Sequence, residues 1–121
     1  MKLRIHKNSI RLRLDRNDFY ELSDRNVLIQ SLETSTYKWN FSILLAEVFK
    51  VELSNEGFKF FIPHSDFDNL KSTKLEYLKY IVDNLKISIE KEYSCLHPSE
   101  LKTQKKSDSA FFPRPTEESN Q

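Results

Sequence analysis

Two runs near the start of the chain alternate between polar, mostly basic, and aliphatic residues: Lys2-Leu3-Arg4-Ile5-His6 and Ser9-Ile10-Arg11-Leu12-Arg13-Leu14-Asp15. Strict alternation with a period of two is typical of a β-strand that buries one face. Only Lys7-Asn8 separates the runs, so the segment predicts a hairpin closed by a two-residue turn. The predicted cross-strand pairs are Ile5 with Ile10, Leu3 with Leu12, Arg4 with Arg11 and Lys2 with Arg13.

One face of this hairpin is aliphatic and the other carries only polar residues, four of them cations. Like charges directly opposite each other are destabilising, so the basic face requires a counter-charge from another strand or from a ligand. The predicted last strand, 85–93, offers one, because it places Ile87 and Ile89 on one face and Ser88, Glu90 and Glu92 on the other. The candidate anion site therefore consists of Lys2, Arg4, Arg11, Arg13, Glu90 and Glu92. Two alternatives stay open: the glutamates satisfy the cations as ion pairs, or an anionic ligand also binds.

Composition narrows the class of protein. The chain has 121 residues, enough for one domain, and 19 Lys and Arg against 18 Asp and Glu give a formal net charge of +1. Such a balance lacks the basic excess of nucleic-acid-binding domains, so we expect no nucleic-acid partner. A single glycine, Gly57, excludes Gly-rich phosphate loops and dinucleotide fingerprints, and no cofactor is predicted.

The expected location is the cytoplasm. The chain has one cysteine, so no internal disulfide can form. Neither a signal-peptide pattern nor an apolar run of the roughly 18 residues that span a bilayer is present, and we expect no membrane partner.

Further elements follow from local pattern. Asn17 is predicted to cap a short helix that ends at 23–26, and a second short helix begins at 63–66 with Phe67 and Leu70 facing the core. Strands are predicted at 27–33, 37–46, 49–53 and 58–62, the last two joined by a turn in which Gly57 takes a positive φ. Residues 74–85 fit either a hairpin turning at Asp83-Asn84 or a helix followed by a strand.

These elements predict an α+β domain over residues 1–98. We expect a single antiparallel sheet of about six to eight strands, able to curl toward a half barrel, with two short helices. Residues 99–121 are poor in apolar side chains and predict a flexible polar tail, interrupted by Phe111-Phe112-Pro113. That aromatic segment either docks onto the domain or binds a partner. No internal sequence repeat is visible.

Two further groups of residues are candidate sites. Cys95 and His97 lie two residues apart, so an extended segment would place the thiol and the imidazole on the same side. There they could bind a metal ion together with His64 or a carboxylate. Alternatively, Cys95 could act as a nucleophile with His97 as its base. Zinc sites usually have three or four protein ligands, which makes this a weak candidate. The aromatic residues Tyr37, Trp39, Phe41, Phe58 and Phe60 could stack bases, but core packing explains them better.

Two segments together resemble a known family. They are similar to segments of a family of small uncharacterised bacterial proteins. The N-terminal segment consists of Lys2 to Ile5 with Asn8-Ser9-Ile10-Arg11-Leu12-Arg13-Leu14, and the C-terminal one is Glu90-Lys91-Glu92-Tyr93-Ser94-Cys95-Leu96-His97-Pro98. The ending at 107–113 also resembles that of the family. That family is a domain of unknown function, so the resemblance implies a compact bacterial domain with a strand at 85–93 and implies no activity. Its members often have a glycine in the first turn, where this chain has Lys7.

The functional hypothesis that fits best is a non-enzymatic binding or accessory protein, whose basic strand face meets an acidic protein partner or a small anionic ligand. The alternative is a metal-dependent enzyme of the triphosphate-tunnel type, in which charged strands enclose a polyphosphate. A concave cationic site facing Glu90 or Glu92 would favour a ligand, and a flat, fully paired face would favour an interaction surface.

Overall fold

The computed structural model describes residues 1–72 and 74–93, which form eight strands and two helices. The strands are β1 Lys2–His6, β2 Ser9–Leu14, β3 Val27–Glu33, β4 Lys38–Ala46, β5 Lys50–Ser54, β6 Gly57–Pro63, β7 Tyr77–Val82 and β8 Leu85–Lys91. The helices are α1 Arg16–Arg25 and α2 His64–Ser72. The predicted α+β class with two short helices is confirmed.

The first hairpin has the predicted register. Ile5 lies opposite Ile10, and Arg4 lies opposite Arg11. The turn at Lys7-Asn8 places Lys7 at φ 53°, a left-handed conformation that favours glycine. Local alternation and turn length were therefore sufficient to define this element.

The prediction of a single antiparallel sheet is wrong. The strands form two four-stranded sheets, in the orders β1-β2-β8-β7 and β3-β4-β6-β5, and we call these sheet A and sheet B. Each sheet joins two antiparallel hairpins through a parallel pair, β2 with β8 and β4 with β6. The physical reason is that α1 carries the chain from sheet A to sheet B and α2 carries it back, so β2 pairs with a strand more than seventy residues away in sequence.

The two halves of the described chain share one topology, hairpin–helix–hairpin. Equivalent backbone hydrogen bonds support this correspondence: the Leu45 N–H donates to the Asn26 oxygen at 3.0 Å, and the Lys91 N–H donates to the Glu76 oxygen at 3.1 Å. Corresponding serines of β4 and β8 are both buried, Ser42 and Ser88. The repeat therefore lies in topology, although the sequence shows none.

The N-cap of helix α1 lies two residues before the predicted one. Asp15, not Asn17, is the N-cap, and its side chain accepts from the backbone N–H of Asp18 at 2.9 Å while the Asp18 carboxylate accepts from the Asp15 N–H at 3.0 Å. This reciprocal capping box satisfies two amide donors, which a cap at Asn17 would leave without an acceptor. The helix ends at Asn26, which adopts the left-handed conformation at φ 64°.

The ambiguous segment is a hairpin. β7 and β8 pair antiparallel across the Asp83-Asn84 turn, with Val82 opposite Leu85. The alternating exposure of β7 shows why helical spacing misleads here: the inward side chains Leu78, Tyr80 and Val82 are spaced by two. Tyr80 is fixed by a hydrogen bond from its hydroxyl to Asp66 on α2 (2.6 Å) and by stacking on Phe49.

One apolar core unites both sheets and both helices. The inner faces of the sheets contribute most of it, and Phe19 of α1 lies against Phe67 of α2 with ring centroids 5.2 Å apart. The most deeply buried side chains are Phe60, Leu12, Leu14, Leu22, Ile43, Ile62, Leu70, Ile87 and Ile89. Since the core occupies the inner faces, the charged residues of the strands lie on the outer faces, except Lys91 at the end of β8, which lies opposite the buried Leu14.

Some predictions fall outside the described residues. The domain boundary at residue 98, the tail 99–121 and its Phe111-Phe112-Pro113 segment all lie beyond residue 93. Among the described residues, no helix has the length and apolar character needed to cross a membrane.

Candidate functional site

The outer face of sheet A brings the basic hairpin and the last strand together. Strand register gives three rows across the four strands: Lys2, Arg13, Glu90 and Tyr77; Arg4, Arg11, Ser88 and Lys79; and His6, Ser9, Lys86 and Ile81. The middle row sets three cations around one buried serine. This face contains all six residues of the predicted site except Glu92, which follows β8 directly.

Arg11 and Glu90 form the principal ion pair of this face. Arg11 Nε lies 3.0 Å from Glu90 Oε2, and Arg11 Nη2 lies 3.0 Å from Oε1, a two-point arrangement. Arg13 Nε is 3.4 Å from the same carboxylate, and the Ser88 hydroxyl donates to it at 2.9 Å. Planar guanidinium groups match carboxylates in this way, so Glu90 is held by three side chains.

These contacts alter the pKa of Glu90. Burial alone would raise the pKa of this carboxyl group, but hydrogen bonds from Arg11 and Ser88 and the charges of both arginines outweigh burial and lower it. The hydrogen bond to Glu90 in turn raises the pKa of Arg11. Glu90 is therefore ionised at neutral pH and serves as an internal counter-charge.

The other end of the basic hairpin is paired less completely. Lys2 Nζ lies 2.5 Å from Glu92 Oε2, but the Lys2 side chain is 67% exposed. Arg4 is exposed and forms no ion pair with any residue of 1–72 or 74–93. The predicted site thus contains a paired centre and a solvated edge.

A pocket of about 310 Å³ opens on this face beside the Arg11–Glu90 pair. It lies where two small residues, Ser9 and Ser88, leave space between longer side chains. Its lining is formed by Ser9, Ile10, Arg11, Tyr77, Lys79, Lys86, Ile87, Ser88 and Glu90. Lys79 Nζ also lies 5.4 Å from the centre of the Tyr77 ring. Lys2, Arg4, Arg13 and Glu92 are not part of the lining.

Sequence reasoning missed Lys79 and Lys86 as members of this site. The signal that could have found them is alternation in 77–82, where Tyr77, Lys79 and Ile81 occupy one face once the segment is taken as a strand. Lys86 then follows from the register, because it lies opposite Ile81 and Ser9.

The remaining candidates divide into two groups. Cys95 and His97 lie outside the described residues, and His64, at the start of α2, is exposed. Within 1–72 and 74–93, no three His, Cys, Asp or Glu side chains are grouped so as to hold a metal ion. Four of the five aromatic residues pack on the inner face of sheet B, where Phe41 and Phe60 are buried and Trp39 packs edge-on against Phe58 at 4.8 Å. Tyr37, which precedes β4, is 52% exposed.

Comparison with known proteins identifies a family but no activity. Residues 1–116 match the model of a family of unknown function, DUF7009, and the chain belongs to that family. This agrees with the expectation that the chain is a domain of unknown function. No curated protein and no solved structure matches the chain.

Proposed function

We propose that this protein is a non-enzymatic binding protein that holds a small anionic ligand on the outer face of sheet A. The observation that carries the proposal is the pocket in which Arg11, Lys79 and Lys86 converge around Ser9 and Ser88. Its volume of about 310 Å³ is at the lower end of the usual range for small-molecule sites. Phosphate and carboxylate groups are the ligands that such cationic and hydroxyl donors recognise.

The charge balance of the pocket supports an anion. Three cationic side chains line it against the single carboxylate of Glu90. That carboxylate already accepts from Arg11 and Ser88, and Lys79 and Lys86 form no ion pair with any residue that the structure describes. The lysines consequently supply positive charge at the pocket that no side chain on this face neutralises.

The position of the charges favours binding over tunnel-type catalysis. An enzyme of the triphosphate-tunnel type needs charged strands facing inward around its substrate. The inner faces of both sheets instead carry the apolar core, including Leu12, Phe60 and Ile89. A ligand of this protein would accordingly sit on the outside of a packed domain, where it can be bound and presented.

Thermal stability tests the proposal. A ligand that binds the native state raises the melting temperature by mass action. We expect pyrophosphate or triphosphate at millimolar concentration to raise the melting temperature with or without Mg²⁺, and the double variant Lys79→Ala/Lys86→Ala to reduce the rise by more than half.

A matched control is available on sheet B. The double variant Lys38→Ala/Lys59→Ala removes two exposed lysines from β4 and β6, and Lys59 lies opposite Ser42 as Arg11 lies opposite Ser88. This control should keep the full ligand-induced shift. An unchanged melting temperature with every phosphate probe, or equal loss in both double variants, would refute the proposal.

A further inference from the structure

A second pocket, of about 400 Å³, is lined by residues of both helices and of β8. Its lining comprises Arg16, Phe19, Tyr20, Lys71 and Lys91. No acidic side chain is among these described lining residues. Three separate elements each bring one cation to the same pocket, which makes it distinct from the site on sheet A.

The positions of these cations are set by the fold. Arg16 is the first residue of α1, Lys71 lies in the last turn of α2, and Lys91 ends β8. The contact between Phe19 and Phe67 fixes the two helices against each other. Lys71 is itself held, since its Nζ donates to the Ser23 hydroxyl at 3.1 Å and lies 5.7 Å from the Phe67 ring centre. The helix packing and the position of Lys71 in the pocket are therefore set by the fold.

Nearby carboxylates have other partners. Asp15 caps α1, and Asp18 accepts from the Asp15 N–H and lies 2.8 Å from the N-terminal ammonium of Met1. Partial burial of Lys91 lowers the pKa of its ammonium group, and the charge of Glu76 acts in the opposite direction. The acids around the pocket thus leave Arg16 and Lys71 without an ion-pair partner among the described residues.

Arg16 has no structural explanation in the helix itself. A cation in the first turn opposes the helix dipole, which favours negative charge there. Replacement of Arg16 by alanine should consequently leave the stability of α1 unchanged or increase it. A residue that is unfavourable for its own helix and lines a cationic pocket is best explained by what the pocket binds.

An exposed aromatic ring completes the pocket. Tyr20 is 67% exposed and lies four residues after Arg16, so the two side chains share one face of α1. Exposed aromatic rings stack on planar groups, and guanidinium groups bind phosphate or carboxylate oxygens at two points. The pocket therefore offers a planar surface beside an anion-binding cluster.

We propose that this pocket is a second binding site, specific for an organic anion in which a planar ring carries a phosphate group. The phosphate would lie between Arg16, Lys71 and Lys91, and the ring would stack on Tyr20. The site shares no residue with the pocket on sheet A, so the two proposals stand or fall separately.

Titration calorimetry with phenyl phosphate and with inorganic phosphate tests this site. We expect phenyl phosphate to bind the intact protein more tightly than inorganic phosphate. Arg16→Ala should weaken phenyl phosphate binding at least about tenfold, the scale of one charge-assisted contact, with no loss of thermal stability. The matched control Arg25→Ala, an exposed arginine at the opposite end of α1, should bind as the unmodified chain does.

Two more variants locate the ligand. Tyr20→Ala should reduce phenyl phosphate affinity to that of inorganic phosphate, because it removes only the stacking surface. Lys79→Ala/Lys86→Ala, on sheet A, should retain phenyl phosphate binding. The proposal is overturned if Arg16→Ala and Arg25→Ala bind equally, if Tyr20→Ala has no effect, or if the sheet A variant abolishes binding.

Discussion

Arg11 of β2 and Glu90 of β8 form a two-point ion pair across the parallel junction of sheet A, with both N–O distances at 3.0 Å. The pair joins the first hairpin of the chain to the last one. Because Arg11 faces Ser88 in the strand register, its guanidinium reaches diagonally to the neighbouring row. The same contact therefore links β2 to β8 and places the negative charge of Glu90 beside the adjacent pocket.

Replacement of Glu90 should affect stability and ligand binding in opposite directions. Glu90→Gln leaves Arg11 and Arg13 without a counter-charge in a partly exposed setting, so we expect a loss of about 1–2 kcal/mol in the free energy of unfolding by urea titration. The same change removes the only carboxylate among the described residues that line the pocket, so pyrophosphate should bind more tightly.

The control for this variant is Glu52→Gln, which alters an exposed pair with Lys50 on sheet B. It should change the free energy of unfolding by less than about 0.5 kcal/mol. Weaker pyrophosphate binding in Glu90→Gln would show that Glu90 positions ligand-binding groups and is more than a counter-charge.

Acid stability should depend on Glu90. Its folded pKa is lowered below the unfolded value of roughly 4.3, so its contribution is complete above that value and is lost as pH falls through the folded pKa. The difference in unfolding free energy between the unmodified chain and Glu90→Gln should be constant from about pH 6 to 8 and shrink below about pH 4. Urea titrations at these pH values measure it, and a difference that grows on acidification would contradict this assignment.

Local pattern determines much of this fold. The alternation of 2–14 defined the first hairpin and its register, because each residue's partner depends only on the two-residue turn. The charge pattern also indicated correctly that Glu90 and Glu92 lie near the basic strands, since four cations on one face require acids. The hairpin register and the pairing of acids with the basic face both follow from the two-residue period of β-strands, which decides the face on which each side chain lies.

The assembly of hairpins into sheets could not be predicted in the same way. Each inner strand offers hydrogen-bond donors and acceptors to any partner, so alternation in β2 does not distinguish β8 from β4. The choice depends on how α1 and α2 pack their buried residues, Phe19, Leu22, Phe67 and Leu70, against the core. The pocket on sheet A follows from that pairing, which explains why Lys79 and Lys86 were missed.

The first turn should be improved by glycine. Lys7 has φ 53°, which costs an L-residue about 1–2 kcal/mol and glycine little, although glycine loses more backbone entropy on folding. We expect Lys7→Gly to raise the free energy of unfolding by about 0.5–1 kcal/mol. Lys7→Ala removes the charge and keeps the unfavourable φ, so it should not stabilise. Equal stabilisation by both variants would attribute the gain to charge.

Gly57, by contrast, should tolerate no side chain. It opens β6 at φ 135°, opposite Asn40 of β4, and a Cβ there would lie 1.6 Å from the Asn40 backbone oxygen. Since that oxygen belongs to the parallel β4–β6 junction, relief requires the two strands to separate. We expect Gly57→Ala to cost about 3 kcal/mol or more, measured by urea titration or as loss of the folded circular dichroism signal.

Asn55→Ala, in the same exposed turn, keeps the backbone carbonyl that accepts from the Tyr37 hydroxyl and should cost less than about 0.5 kcal/mol. A Gly57→Ala variant as stable as Asn55→Ala would mean that β4 and β6 do not pair in this register.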